Sequence, residues 1–162
     1  MTPVRAAIAL GSNMHDPLAQ VRRGFEEIAA LPGTKLVATS PLYRTAPVGY
    51  LDQAPFVNAC ALVETDLAPR ELLDRLLDLE QRHGRVRTIR NGPRTLDLDI
   101  VVYGDRRVDE PGLTIPHPRA HERAFVLQPL ADVWPEARLG DKGTAQELLR
   151  GLESRPQGND AR

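Results

Sequence analysis

Apolar positions recur along the chain with two alternating periods. Val4 to Leu10 is a short apolar run ending at Gly11-Ser12-Asn13, which predicts a first strand and a turn. Leu18, Val21, Phe25, Ile28 and Ala29 then recur at helical spacing. They predict a helix capped by Asp16 or Asn13 that runs to about Leu31 and stops at Pro32-Gly33. Lys35 to Tyr43 alternates like a strand, and Thr45 to Pro55, with Pro47, Gly49 and Pro55, reads as a loop. Phe56 to Glu64 returns to strand character. Pro69 suits the first turn of a second helix, whose stripe is Leu72, Leu73, Leu76, Leu77 and Leu79 and whose end is Gly84. After an arginine-rich loop, Thr95 to Tyr103 predicts the last long strand.

Strand–helix–strand followed by strand–helix–strand predicts an α+β fold of the ferredoxin-like β-α-β/β-α-β type, an antiparallel sheet with helices packed on one face. A C-terminal extension follows. It holds a hairpin-like stretch from Arg106 to Asp109, the segment Leu113-Thr114-Ile115-Pro116-His117-Pro118, and a short helix near Ala120. An apolar segment from Phe125 to Leu130 and a short helix over Gln146 to Leu152 complete it. The small, polar stretch from 151 to 162 is expected to fray. With no repeat, linker or low-complexity segment, residues 1–162 are expected to form one domain.

The densest chemistry lies at Gly92-Pro93-Arg94-Thr95-Leu96-Asp97-Leu98-Asp99-Ile100. Side chains alternate along a strand, so Asp97 and Asp99 share one face while Leu96, Leu98 and Ile100 point to the other, into a core. The apolar flanks Val101 and Val102 suggest a central strand. Just upstream lie Arg82, Arg85, Arg87, Arg90 and Arg94 with no acid between them. A helix dipole accounts for Arg82, but the others lie beyond Gly84. Carboxylates hold hard cations such as Mg²⁺ and arginines clamp phosphate oxygens, so the combination suggests a metal–polyphosphate site. Phe56 and Asn58 share a strand face. A ring beside an amide suits a flat heterocycle, although core packing explains Phe56 equally well. Glu80, one turn before Gly84, taken alone reads as a helix-surface ion pair. His117 lies between two prolines and so outside any helix interior, where a polar contact to phosphate or adenine fits better than zinc. Gly11-Ser12-Asn13 is not a Walker A loop, and no Gly-x-Gly-x-x-Gly is present.

Composition narrows the classes. A net charge of -1 provides no global attraction to nucleic acid or anionic membranes, so an anion must be held by a local basic cluster. Aromatic content of 4% leaves too few rings for a stacking RNA-recognition sheet. The single cysteine, Cys60, excludes an intrachain disulfide and reads as a packed strand thiol in an intracellular chain. No signal peptide or membrane span is expected, and one cysteine with four scattered histidines makes structural zinc unexpected.

Taken in order, Ala9-Leu10-Gly11-Ser12-Asn13, Tyr43-Arg44-Thr45-Ala46-Pro47, Phe56-Val57-Asn58-Ala59, Glu80, Arg85-Val86-Arg87, Gly92 to Ile100, Leu113 to His117, Arg123 and Phe125 resemble the 6-hydroxymethyl-7,8-dihydropterin pyrophosphokinase family over nearly the whole chain. The resemblance implies a ferredoxin-like fold and transfer of pyrophosphate from ATP to the hydroxymethyl oxygen of the pterin, leaving AMP, in folate biosynthesis. It implies two Mg²⁺ ions held by Asp97 and Asp99, and catalytic roles for Arg85, Arg94, Asp97 and Asp99. It also implies a pterin pocket of Thr45, Pro47, Val48, Phe56, Asn58 and Phe125. The nucleotide side would hold Glu80, Arg87, Arg94, Ile100, Thr114, His117 and Arg123. The expected protein is a cytoplasmic monomer acting on these two small molecules, with no nucleic-acid or membrane partner. Four positions depart from the family's habit. Asn91 stands where a tryptophan is frequent, Phe56 where tyrosine is, Gly112 where a basic residue is, and Pro118 where an aromatic is. Two rival classes make different products: a non-catalytic nucleotide or heterocycle sensor makes none, and an ordinary kinase leaves ADP.

Overall fold

The computed structural model describes residues 3–14, 16–45, 55–84 and 95–154. Strand β1 (Val4–Ser12) leads to α1 (Pro17–Ala29), whose first turn is capped by the Asp16 carboxylate accepting from the Ala19 N–H at 3.4 Å. Strands β2 (Thr34–Thr39), β3 (Tyr43–Thr45) and β4 (Phe56–Thr65) follow, and then α2 (Pro69–Arg82). Glu71 accepts from the Ala68 N–H at 3.0 Å at the start of α2, and Gly84, at φ +74, lies just past its end. Strand β5 (Asp97–Tyr103), a hairpin of β6 (Val108–Glu110) and β7 (Leu113–Ile115), α3 (Ala124–Val133) and α4 (Ala145–Glu153) complete the described elements.

The main sheet runs β2-β4-β1-β5, with β3 pairing β4 beyond β2, and every pairing is antiparallel. With α1 and α2 on one face this is the expected ferredoxin-like α+β arrangement. Ile8, Leu10, Val57, Val63 and Leu98 meet Val21, Ile28, Leu72, Leu76 and Leu79 in that core. The other face is covered as well. There, Ala7, Cys60, Val101 and Val102 pack against Leu127, Leu130 and Leu152 of α3 and α4, so the C-terminal extension supplies a second layer of helix. His83, at the C-terminus of α2, ties the first pair of helices together. Its ring nitrogens meet Gln20 and, at 2.5 Å, the Glu27 carboxylate of α1.

Four local expectations change. The strand expected from Lys35 to Tyr43 is split into β2 and β3, because Pro41 has no N–H to continue a ladder. Ser40 bridges the break, donating its N–H to the Cys60 carbonyl at 2.9 Å and accepting the Cys60 N–H at 2.8 Å. Leu77 is exposed, since helical spacing carries it off the Leu72–Leu76–Leu79 face. β5 is an edge strand rather than a central one; its apolar flank is buried by helices and the β6–β7 hairpin. Finally, α4 continues to Glu153 and takes in the first residues of the stretch expected to fray from 151.

Among the described residues no helix is long and apolar enough to cross a membrane. Burial pushes the Cys60 thiol up to about 12, so it stays protonated in the native state. We expect a thiol reagent at pH 8 to leave Cys60 unlabelled until denaturant unfolds the chain. Stoichiometric labelling of the native protein would show that this face of β4 opens.

Candidate active site

The register of three strands lays the polar residues out in rows. Gly11 of β1 pairs with Asn58 of β4 on one side and with Asp97 of β5 on the other. In the next row on the same face, Ala9 pairs with Cys60 and with Asp99. Ala9 and Gly11 therefore form a floor with almost no side chain, whereas Ile8 and Leu10 on the reverse face fill the core. Neighbouring strands lie about 4.8 Å apart, so Asn58 and the aspartate strand face each other across a gap of about 10 Å. A cleft opens over this floor, lined by Ala9, Gly11, Asn58, Asp97, Asp99 and Val101 below, and by His117, Arg123, Phe125 and Val126 at its sides.

Each wall has a local cause. Arg123 is the residue before α3, and its guanidinium carbon lies 5.4 Å from the centre of the Phe125 ring. Burial holds the Arg123 guanidinium below its usual value and repulsion from Arg119 adds to this, while Asp99 opposes both. His117 is fixed by its own backbone, because its N–H donates to the Val101 carbonyl on the outer side of β5 at 2.9 Å. Its Nδ1 accepts the Arg119 N–H at 3.3 Å, which in the neutral ring places the proton on Nε2. On the far side, Asn58 donates from Nδ2 to Thr45 Oγ1 at 2.6 Å, joining β4 to β3. Tyr43, directly across from Asn58, reaches over to α3 and donates its hydroxyl to the Asp132 carboxylate. Gln128 donates to the same carboxylate at 3.2 Å.

Most expected residues within the described part converge. Asn58, Asp97, Asp99, His117, Arg123 and Phe125 line one cleft, and Thr45 and Phe56 lie on its strand face at the β3–β4 end. Thr114 lines an adjoining groove that shares His117 with the cleft. Two residues face elsewhere. Ile100 packs into the core beneath α1 and α2, so only its backbone lies at the strand edge. Glu80 is buried, and its carboxylate is turned to the Leu98 N–H rather than to the cleft. Pro47, Val48, Arg85, Arg87 and Arg94 lie outside the described residues, as does Asn91. Sequence reasoning missed the floor; its signal was Ala9 and Gly11, small residues at strand spacing with Leu10 in between. It also missed the Tyr43–Asp132 tie, which joins residues far apart in the chain.

The two aspartates offer hard oxygen donors to one space, as a divalent cation of the Mg²⁺ type requires. No group of three or more metal-ligating side chains exists among the described residues. An ion here would complete its shell with water and ligand oxygens, which fits a metal that arrives with a polyphosphate.

Comparison with known proteins agrees with this geometry. The family model described as 7,8-dihydro-6-hydroxymethylpterin-pyrophosphokinase (HPPK) matches residues 7–135. A 2-amino-4-hydroxy-6-hydroxymethyldihydropteridine pyrophosphokinase of Pseudomonas aeruginosa is 49% identical over 145 residues, covering 90% of this chain and 90% of that protein. One of the same description from Haemophilus influenzae is 43% identical over 147 residues, covering 91% and 92%. Among solved structures, wild-type Plasmodium falciparum HPPK-DHPS superposes with a TM-score of 0.71 at 15% identity, over 94% of this chain but only 42% of that one. This last likeness speaks for the fold alone.

The Tyr43–Asp132 tie gives a pH prediction. Burial, then the hydrogen bond to Asp132, push the Tyr43 phenol up to about 12 from its ordinary 10. The protonated form is the one favoured by folding, so its contribution is complete below pH 10 and is lost as pH rises toward 12. Tyr43→Phe is expected to lower unfolding free energy by about 1 kcal/mol at pH 8. The difference from the parent protein should vanish near pH 12 in urea titrations. A gap that is constant across that range would separate Tyr43 from Asp132.

Proposed function

Because the chain belongs to the 7,8-dihydro-6-hydroxymethylpterin-pyrophosphokinase family, we propose that it transfers the pyrophosphoryl group of ATP to 6-hydroxymethyl-7,8-dihydropterin in folate biosynthesis. The hydroxymethyl oxygen attacks the β-phosphorus, and the bond from that phosphorus to the α–β bridging oxygen breaks. AMP leaves with the bridging oxygen, and the hydroxyl proton is released. The observation that carries this reading is the row Asn58–Gly11–Asp97. It sets an amide suited to a heterocycle edge opposite a carboxylate pair, with only small side chains between them.

In this reading Thr45, Pro47, Val48, Phe56, Asn58 and Phe125 hold the pterin. The Asn58 amide, oriented by Thr45, meets the hydrogen-bonding edge of the ring, and Phe125 covers a face. Glu80, Arg87, Arg94, Ile100, Thr114, His117 and Arg123 serve the nucleotide side. Asp97 and Asp99 would hold two Mg²⁺ ions, which when bound supply neutralisation of the triphosphate and polarisation of the attacking hydroxyl. His117, with its proton on Nε2, donates to a phosphate oxygen, and Arg123 presents a fixed cation beside Asp99. Phosphoryl-type transfer depends on alignment and charge neutralisation, so these groups act by position. Arg85 and Arg94 would contribute charge to the triphosphate in the transition state. We propose further that residues 1–162 form a single pyrophosphokinase domain, a cytoplasmic monomer with no nucleic-acid partner.

The product decides the reaction class. AMP should form from ATP only when the hydroxymethyl-pterin is present; ADP would make the protein an ordinary kinase, and no nucleotide product a sensor. Asp97→Ala and Asp99→Ala should each lose about 3 kcal/mol of transition-state stabilisation, or about 100-fold in kcat/KM, with native circular dichroism retained. Near-parental turnover in both would remove the metal role. Arg85→Ala should lower kcat far more than it weakens ATP binding, and the opposite split would make Arg85 a residue of uniform binding.

A further inference from the structure

Asp97 is the first residue of β5, and among the described residues β5 is bonded to one neighbour in the main sheet. A strand that is both terminal and on an edge presents unpaired backbone groups and frays most easily. The outer side of β5 is nevertheless closed at two points. The Val101 carbonyl accepts from the His117 N–H at 2.9 Å, and the Leu98 N–H donates to Glu80 Oε2 at 2.7 Å. Leu98 lies between the two aspartates, so the peptide that Glu80 holds is the one joining Asp97 to Leu98.

Glu80 occupies a position where an apolar residue would be expected. It is only 3% exposed, and it lies one helical turn beyond Leu76 and two beyond Leu72, both in the core stripe of α2. Burying a carboxylate is costly unless it is compensated by hydrogen bonds, so its presence calls for a reason beyond packing. The Leu98 N–H supplies one such bond. A charged acceptor forms a strong hydrogen bond to an amide that would otherwise be buried without a partner in the sheet. The Leu98 side chain is itself buried in the same core, which prevents the peptide from turning toward water instead.

We propose that Glu80 is a positioning residue for the carboxylate pair. By holding the Leu98 N–H from the rear of the strand, it fixes the rotation of the peptide joining Asp97 to Leu98, so that the carboxylates on either side of Leu98 project into one cleft. The inference rests on the reading of those aspartates as metal ligands and assigns Glu80 a task behind the strand that is separate from any contact with nucleotide. It acts on the metal through the backbone, as groups that orient metal ligands do elsewhere.

Three measurements test it on Glu80→Leu, which fills the volume without an acceptor, and Glu80→Gln, which keeps an acceptor oxygen. They are amide hydrogen exchange at Leu98 by NMR, Mn²⁺ affinity by electron paramagnetic resonance in the presence of α,β-methylene-ATP, and kcat. Glu80→Leu should speed Leu98 exchange and weaken Mn²⁺ binding by about 10-fold or more, the usual scale for losing a ligand-orienting group. Its kcat should fall in parallel, and Glu80→Gln should restore most of all three. Should Glu80→Leu fail to fold, an amide-to-ester replacement at Leu98 removes the donor with Glu80 intact and should reproduce the loss of Mn²⁺ affinity. Unchanged Mn²⁺ affinity in Glu80→Leu or in the ester form overturns the proposal. So does a Glu80→Gln variant as impaired as Glu80→Leu, because the charge rather than the acceptor would then matter. Asp97→Ala with parental Mn²⁺ affinity overturns the metal reading itself, and is told apart because Leu98 exchange would still respond to Glu80.

Discussion

Gly11 pairs with Asn58 on one side and with Asp97 on the other, and everything the site can do follows from that register. A shift of one residue between β1 and either neighbour would break these rows, and the side chains of the shifted strand would no longer share the cleft face. The register is held by the opposite face, where Ile8, Leu10, Val57, Leu98 and Ile100 must all meet the helices at once. Core and site are therefore two faces of one constraint. The apolar face determines the alignment, and the polar face uses it to bring residues of β4 and β5 to a common cleft.

The second core turns part of this face into a cleft. Without the C-terminal helices the row of small residues would be an open, wetted sheet. With α3 anchored through Leu127 and Leu130, and Tyr43 tied to Asp132, Arg123 and Phe125 stand over the floor beside Asp99. The cleft is left open where β1 carries Ala9 and Gly11, since no side chain there is large enough to fill it. The outer edge of β5 is handled with similar economy: a backbone N–H from the segment after β7 and a buried carboxylate from α2 satisfy groups that no strand among the described residues covers.

Much of this was visible in the chain as written. Alternation placed Asp97 and Asp99 on one face with Leu96, Leu98 and Ile100 on the other, and the order of periodic segments predicted the two β-α-β units. Capping and stop signals placed both long helices to within a few residues, because these are local effects of Asp16, Pro69 and Gly84. The errors were of a different kind. Val101 and Val102 suggested a central strand, yet both are buried on the same face, where the ladder shifts register between Ala7 and Ile8, and the strand lies on the edge. Apolar flanks report burial, and burial by a helix is indistinguishable in sequence from burial by another strand.

Which residues share a face of each element could be read from the chain alone, because strand and helix periods are properties of the local backbone. The chain also carried enough of the family's motif, from Gly11 to Phe125, to indicate a pterin and ATP as substrates. Which faces meet emerges from packing: Asn58 and Asp97 flank the same glycine, Tyr43 reaches Asp132, and Glu80 turns inward to Leu98 instead of outward to water. These pairings join residues far apart in the chain. They are set by how two cores pack on one sheet, a collective outcome that no local period encodes.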